Sequence, residues 1–241
     1  MPGHRATTDD GPPRPGRLRV PAYAAADIRA AEAPLLAAGV PLMARAAHAL
    51  ARITAARRVA ASGPRVLVLA GRGDNGGDAL FAGAELAAAG TGVDVVLVSA
   101  GAHEAGLAAA VSAGARVVDL SALDEPGIGL ILDGMTGLGG GGPLRGGVRD
   151  AAVALRARRA PRPRILAVDL PSGLDPDTGA GDELVPVADE TITFGGVKAG
   201  LVRGRGPVLS GPVTLVDIGL GPALATVTPV AEARVAAVIS G

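Results

Sequence analysis

The sequence has no cysteine and no tryptophan, and its only aromatic residues are Tyr23, Phe81 and Phe194. Without thiols there can be no disulfides, no thiolate nucleophile and no cysteine-based zinc site. The three histidines, His4, His48 and His103, are scattered and form no ligand pair. Aromatic platforms for single-stranded nucleic acid are missing. So is a basic footprint, because 23 acids balance 23 bases for a formal net charge of zero. Nucleic acid is therefore not an expected partner. No apolar run approaches the ~18 residues of a membrane-spanning helix, and the N-terminus lacks the apolar stretch of a secretory signal. A soluble, cytoplasmic protein without a membrane partner is the expectation. Lysine is almost absent too. Lys198 is the only one among 23 basic residues, so its position is more informative than usual.

What is present is aliphatic. Of 241 residues, 49% are hydrophobic, and the core must be built from Ala, Val, Leu and Ile. A chain of this length can bury roughly three-quarters of its unfolded surface. Residues 1–20 are polar and rich in Pro and Gly, which predicts a disordered tail before a single domain over 21–241. Residues 22–33 and 40–61 have helical spacing, with Leu42, Ala46, Ala49, Leu50 and Ile53 on one stripe and Pro34 and Pro41 at the joints.

From Val66 the pattern changes to short apolar runs alternating with helical segments. The runs are Val66–Ala70, Val93–Val98, Arg116–Leu120, Leu130–Asp133 and Ile165–Leu170, with later candidates at Thr191–Phe194 and Val213–Val216. Helical segments over 76–89, 102–113 and 148–159 separate them. This alternation predicts a mostly parallel sheet covered on both faces, a Rossmann-like three-layer α/β/α fold. Ligands in such folds bind beyond the carboxyl ends of the strands. Three strands here end in unusual chemistry: AGRGDNGGDAL (Ala70–Leu80), Asp133 with the glycine cluster after it, and AVDLPSGLDPDTG (Ala167–Gly179).

Each of these features has a plain and a functional reading. Gly71, Gly73 and Gly76 spell G-x-G-x-x-G, which between a strand and a helix suggests a dinucleotide turn. An ordinary nicotinamide oxidoreductase is nevertheless disfavoured. The position that should hold a ribose-binding acid lies near Ser99, Asp94 is at the wrong end of its strand, and Asp74 and Asp78 would repel a pyrophosphate. Two acids and an amide in a glycine turn lower helix propensity without improving packing. Asp133 reads either as a cap or as a ligand. Asp169 reads either as an Asx-turn residue with Ser172 and Gly173 or as a working acid at the end of a buried strand. For Lys198 the plain reading, a solvent-facing loop lysine, is favoured.

Together these residues resemble the NAD(P)HX epimerases, the YjeF-type N-terminal domain. AGRGDNGGDAL is similar to that family's AGPGNNGGDG, AVDLPSGLDPDTG to its DIPSGxDxDTG, and TFGGVKAGL to its TFGxxKPGL. VDIGL (Val216–Leu220) matches the usual ending of the domain. The resemblance spans residues 22–221 in the right order. It implies a homodimer that interconverts the R and S epimers of NADHX and NADPHX, hydrated damage products of the reduced nicotinamide cofactors. It places substrate contacts on Asp74, Asn75, Gly76, Gly77 and Asp78, on the loop of Gly137, Leu138, Gly139, Gly140, Gly141, Gly142 and Pro143, and on Asp169. It places a potassium ion on Asn75, Asp133 and Ser172. It also implies coupling to an NAD(P)HX dehydratase, separate or fused in a longer gene. Asp169 is the candidate for proton transfer.

The departures from the family pattern are Arg72 for Pro, Asp74 for Asn, Ala79 for Gly, and LMARAA, with Ala44 and Arg45, where the family has Glu and Asn. Two readings compete with the epimerase: a nicotinamide oxidoreductase as the alternative enzyme, and a catalytically silent nucleotide-binding or protein-interaction domain of the same fold, suggested by the altered LMARAA segment.

Overall fold

The computed structural model describes residues 18–58, 61, 63–139, 141–158 and 162–241. In chain order the elements are β1 (Leu18–Tyr23), α1 (Ala25–Ala37), α2 (Leu42–Arg58), β2 (Arg65–Ala70), α3 (Asp74–Ala88), β3 (Val93–Leu97), α4 (Glu104–Ser112), β4 (Arg116–Val117) and β5 (Ile128–Gly134). They continue with α5 (Gly146–Ala157), β6 (Arg164–Val168), β7 (Glu190–Phe194), β8 (Val197–Lys198), α6 (Gly206–Leu209), β9 (Val213–Asp217), α7 (Gly221–Leu224), β10 (Ala231–Val235) and β11 (Ala237–Ser240).

The main sheet has eight strands in the order β11-β9-β7-β6-β5-β2-β3-β4, and every pairing in it is parallel. The order steps outward from β2 through β3 to β4, then restarts at β5 on the other side of β2. The crevice for a ligand therefore opens between the carboxyl ends of β2 and β5.

The central strands read as unbroken apolar runs because both faces are covered. Along β2, Val66, Val68 and Ala70 face the core under the helices from α1 to α4, whereas Leu67 and Leu69 face a second core closed by Ala151 and Leu155 of α5. The alternation follows from the two-residue period of a strand. The stripe Leu42, Ala46, Ala49, Leu50 and Ile53 is buried as its spacing predicts. Among the described residues no single helix is long and apolar enough to cross a membrane.

Several local expectations change. β1 starts at Leu18, so residues 18–20 belong to the folded unit; they pair antiparallel with β10, Leu18 opposite Val235. Residues 1–17 lie outside the described residues. Pro34 sits inside α1 rather than at a joint, and the break comes at Gly39, whose φ of 75° a glycine adopts without strain. The strand expected over Arg116–Leu120 keeps only Arg116–Val117 before a 3-10 turn takes over at Leu120. A second sheet, β10-β1-β8, was not anticipated. It covers a third core of Leu170, Leu174, Val197, Leu201 and Val235.

Candidate active site

The turn after β2 begins at Gly71. A Cβ there would run into the backbone of Met135, so glycine is what lets the β2 turn lie against the end of β5. Helix α3 then starts at Asp74 and presents Asn75 and Asp78 from its first turns. The Asn75 amide donates to the carbonyls of Val168 (2.6 Å) and Thr136 (3.3 Å), joining this turn to the ends of β6 and β5.

Asp133, near the end of β5, is 0% exposed. Its Oδ1 accepts the Ser172 hydroxyl (2.5 Å) and the Met135 N–H (3.4 Å), and its Oδ2 accepts the Ser172 N–H (3.0 Å). Ser172 in turn accepts the Thr136 N–H (2.9 Å). Burial pushes the Asp133 carboxyl up from its ordinary range, and the bonds from Ser172 and Met135 pull it partly back. Among the described residues no cation pairs with it.

Asp169 follows β6 with φ 70°, the only described non-glycine residue in the left-handed region. Such a backbone costs about 1–3 kcal/mol and persists only where its surroundings enforce it. Its N–H donates to Ile192 (2.7 Å). Its Oδ1 accepts the Thr193 hydroxyl (3.0 Å), the Phe194 N–H (3.2 Å) and the Lys198 ammonium. Oδ2 accepts no hydrogen bond among the described residues. The Asx-turn reading therefore fails, because the Ser172 N–H goes to Asp133. The solvent-facing reading of Lys198 fails as well: it is 2% exposed and ion-paired with Asp169. The signal that could have revealed it was its isolation, a single lysine kept in a chain that otherwise uses arginine.

Asp78 is buried, and its Oδ1 has no hydrogen-bond partner among the described residues. Burial raises this carboxyl well above its ordinary value. The nearby charges of Asp169 and Asp74 push the same way, and Lys198 offsets them in part. Glu32 of α1 is also raised, chiefly by burial.

Glu32, Asn75, Asp78, Asp169 and Lys198 surround one cavity of about 760 Å³ at the β2–β5 crevice, within the size range of small-molecule sites. Of the residues expected to contact substrate, Asp74, Asn75, Asp78, Gly137, Leu138, Gly139 and Asp169 line it. Gly76 and Gly77 lie behind the wall, packed against Gly71 and His103. Gly141, Gly142 and Pro143 are exposed and do not line the cavity, and Gly140 lies outside the described residues. Asp133 and Ser172 are sealed beneath the floor. Sequence reasoning missed the wall opposite, where α1 brings Arg29, Glu32 and Leu36, and α2 brings Leu42, Met43 and Ala46.

A family model described as YjeF-related protein N-terminus matches residues 39–200. The chain belongs to this family. It is 55% identical over 226 residues to the NAD(P)H-hydrate epimerase of Microbacterium testaceum, a match covering 92% of this chain and 88% of that one. It is 48% identical to the NAD(P)H-hydrate epimerase of Clavibacter michiganensis, over 88% of this chain and 95% of that one. A bifunctional NAD(P)H-hydrate repair enzyme of Mycobacterium tuberculosis is 41% identical over 82% of this chain, which spans 41% of that enzyme. The crystal structure of yeast ynu0 shares the fold, with a TM-score of 0.65 at 18% identity, over 81% of this chain and 87% of that one.

Within the YjeF-related family, the departure of this chain at Arg45 falls where the structure absorbs it. Arg45 does not enter the cavity; its guanidinium donates to the Ile218 carbonyl (2.8 Å) and ties α2 to the end of β9. Its neighbours Met43 and Ala46 take the cavity side. Arg72 stands exposed on the cavity rim.

Proposed function

We propose that this protein is an NAD(P)H-hydrate epimerase, an isomerase of nicotinamide cofactor repair, with Asp169 as the group that moves the proton. The observation that carries this reading is the Asp169 carboxylate, tied at Oδ1 and with no hydrogen bond to Oδ2 among the described residues, in the same cavity as the GDNGGD turn. The name shared by the relatives at 55% and 48% identity supports it.

The hydrate carries a hydroxyl on C6, beside the ring nitrogen. Protonation of that oxygen lets it leave as water while the nitrogen lone pair forms a planar cation. Water then adds to the other face and returns its proton, so atoms and charge balance over the cycle. Acid–base help of this kind contributes about 10²–10⁴ in rate. Asp169 gives the proton from Oδ2 to the leaving oxygen and takes it back from the water that adds. Asp78, held toward its neutral form, is the second carboxyl within the site and the alternative donor. Two acids with different surroundings in one cavity are how a protein separates acid and base roles.

Asn75, Asp133 and Ser172 fit a bound potassium ion. All three supply oxygen, and Asp133 is a buried carboxylate with no cationic partner among the described residues. Among the described residues Asn75 Oδ1 accepts no hydrogen bond, and it lies against Gly137, where a Cβ would collide with it. When bound, the ion would supply positive charge among the carboxylates and ease their repulsion of substrate phosphates. A homodimer and a dehydratase partner, on a separate chain or fused, complete the proposal. The fused arrangement has a parallel in the bifunctional relative from Mycobacterium tuberculosis.

The test supplies purified protein with mixed NADHX epimers and an S-specific dehydratase and follows the R form. A stoichiometric change in reduced-cofactor absorbance without the dehydratase would point to an oxidoreductase instead.

A further inference from the structure

The proton-transfer reading leaves Lys198 without a task. It borders the cavity, yet its ammonium has three N–H bonds and three protein acceptors: Asp169 Oδ1, the Phe194 carbonyl (2.9 Å) and the Thr193 hydroxyl (3.3 Å). A lysine serving as a phosphate anchor would keep at least one N–H pointed at the ligand. This one keeps none.

The surrounding chain is built to hold it there. Strand β8 pairs with β1, Val197 opposite Ala22 and Lys198 opposite Tyr23. The next turn is clamped at Gly200, whose N–H donates to the Pro176 carbonyl (2.7 Å) and whose Cα leaves no room for a Cβ beside Asp175 and Pro176. Asp175 in turn folds its own loop by accepting the N–H of Asp177 (3.1 Å) and both the N–H and the hydroxyl of Thr178 (2.8 Å each). The second half of the DLPSGLDPDTG motif therefore makes the seat on which the Lys198 turn rests.

Asp169 is the other half of the pair. Its left-handed backbone is strained, and among the described residues Oδ1 carries every side-chain hydrogen bond the residue makes. Three further acids, Glu32 from α1 and Asp74 and Asp78 from α3, act on the same region, with Arg29 of α1 beside them. An unpaired carboxylate would be costly in such a place.

We infer that Lys198 is a positioning residue that fixes Asp169 through Oδ1 and so aims Oδ2 at the substrate oxygen, without touching substrate itself. This rests on the epimerase reading for its effect on rate but not for the pairing, and two experiments separate the two.

The first is a double-mutant cycle on kcat and KM in the dehydratase-coupled assay, using Lys198→Met, Asp169→Asn and the double variant. If Lys198 acts only through Asp169, each single change lowers kcat by about 10²-fold or more with KM little changed, and the double variant is no slower than Asp169→Asn. Multiplying losses, a loss confined to KM, or near-normal turnover in Lys198→Met would overturn the inference. Should Lys198→Met not fold, Lys198→Gln keeps a donor and enters the same cycle. The second experiment needs no activity. Because the chain has one lysine, ζ-15N-lysine labelling gives a single side-chain signal. A protected ammonium resonance that moves or exchanges faster in Asp169→Asn supports the pairing. A signal like that of free lysine, unmoved by Asp169→Asn, overturns it. If wild-type protein shows the protected signal but no epimerisation, the epimerase reading fails while the pairing stands.

Discussion

Asp78 and Asp169 face one cavity with opposite surroundings: Asp169 is ion-paired with Lys198, whereas Asp78 has a buried oxygen with no partner among the described residues. Each consequence of that difference can be measured.

Asp169→Asn keeps the shape and the Oδ1 acceptor but removes the charge and the proton. Turnover should fall by about 10²-fold or more with nucleotide affinity largely retained. The variant should also melt earlier, because Lys198 then lies buried without its counter-charge. A folded variant with near-normal turnover would make Asp169 a structural residue and send the search to Asp78.

Asp78 sets a pH dependence of stability. Its folded carboxyl titrates above the ordinary aspartate value of 3.8, so over that interval the folded state binds more protons than the unfolded one. Stability should therefore fall as pH rises from near 3.8 through the folded value. Asp78→Asn removes this loss, and its melting temperature should vary less with pH and exceed that of the wild type at neutral pH. Parallel curves for the two proteins between pH ~4 and ~8 would contradict it.

Potassium should stabilise the wild type against heating relative to a bulky cation such as tetramethylammonium, by the linkage of a ligand that binds only the folded state. Asp133→Asn should lose that response and bind substrate more weakly. It is a cleaner probe than Asp133→Ala, which would strand the Ser172 N–H and hydroxyl at about 1–3 kcal/mol each. Identical melting and kinetics with and without potassium would remove the ion from the site.

The sheet was legible because its central strands are fully buried and so read as unbroken aliphatic runs, β2 and β5 above all. The second sheet was not. Pro21 within β1 reads against a strand, and β8 is two residues long and pairs with β1. In β10 the alternation Ala231, Ala233, Val235 was there to be read, but small residues carry little hydrophobic contrast. Among the site residues, the glycine turn, Asp133 and Asp169 announce themselves by sitting at strand ends. The partner of Lys198 is 29 positions away, and only the fold brings it near. The α1 and α2 wall of the cavity escaped for the same reason: helical spacing shows which residues pack inward, not that Glu32 and Met43 look across at Asp169.

The most direct measurement is the fate of R-NADHX. With an S-specific dehydratase in excess, wild-type protein should let both epimers be consumed, with the R form disappearing faster than spontaneous epimerisation permits. An R form that decays at the same rate with and without the protein would contradict the epimerase assignment.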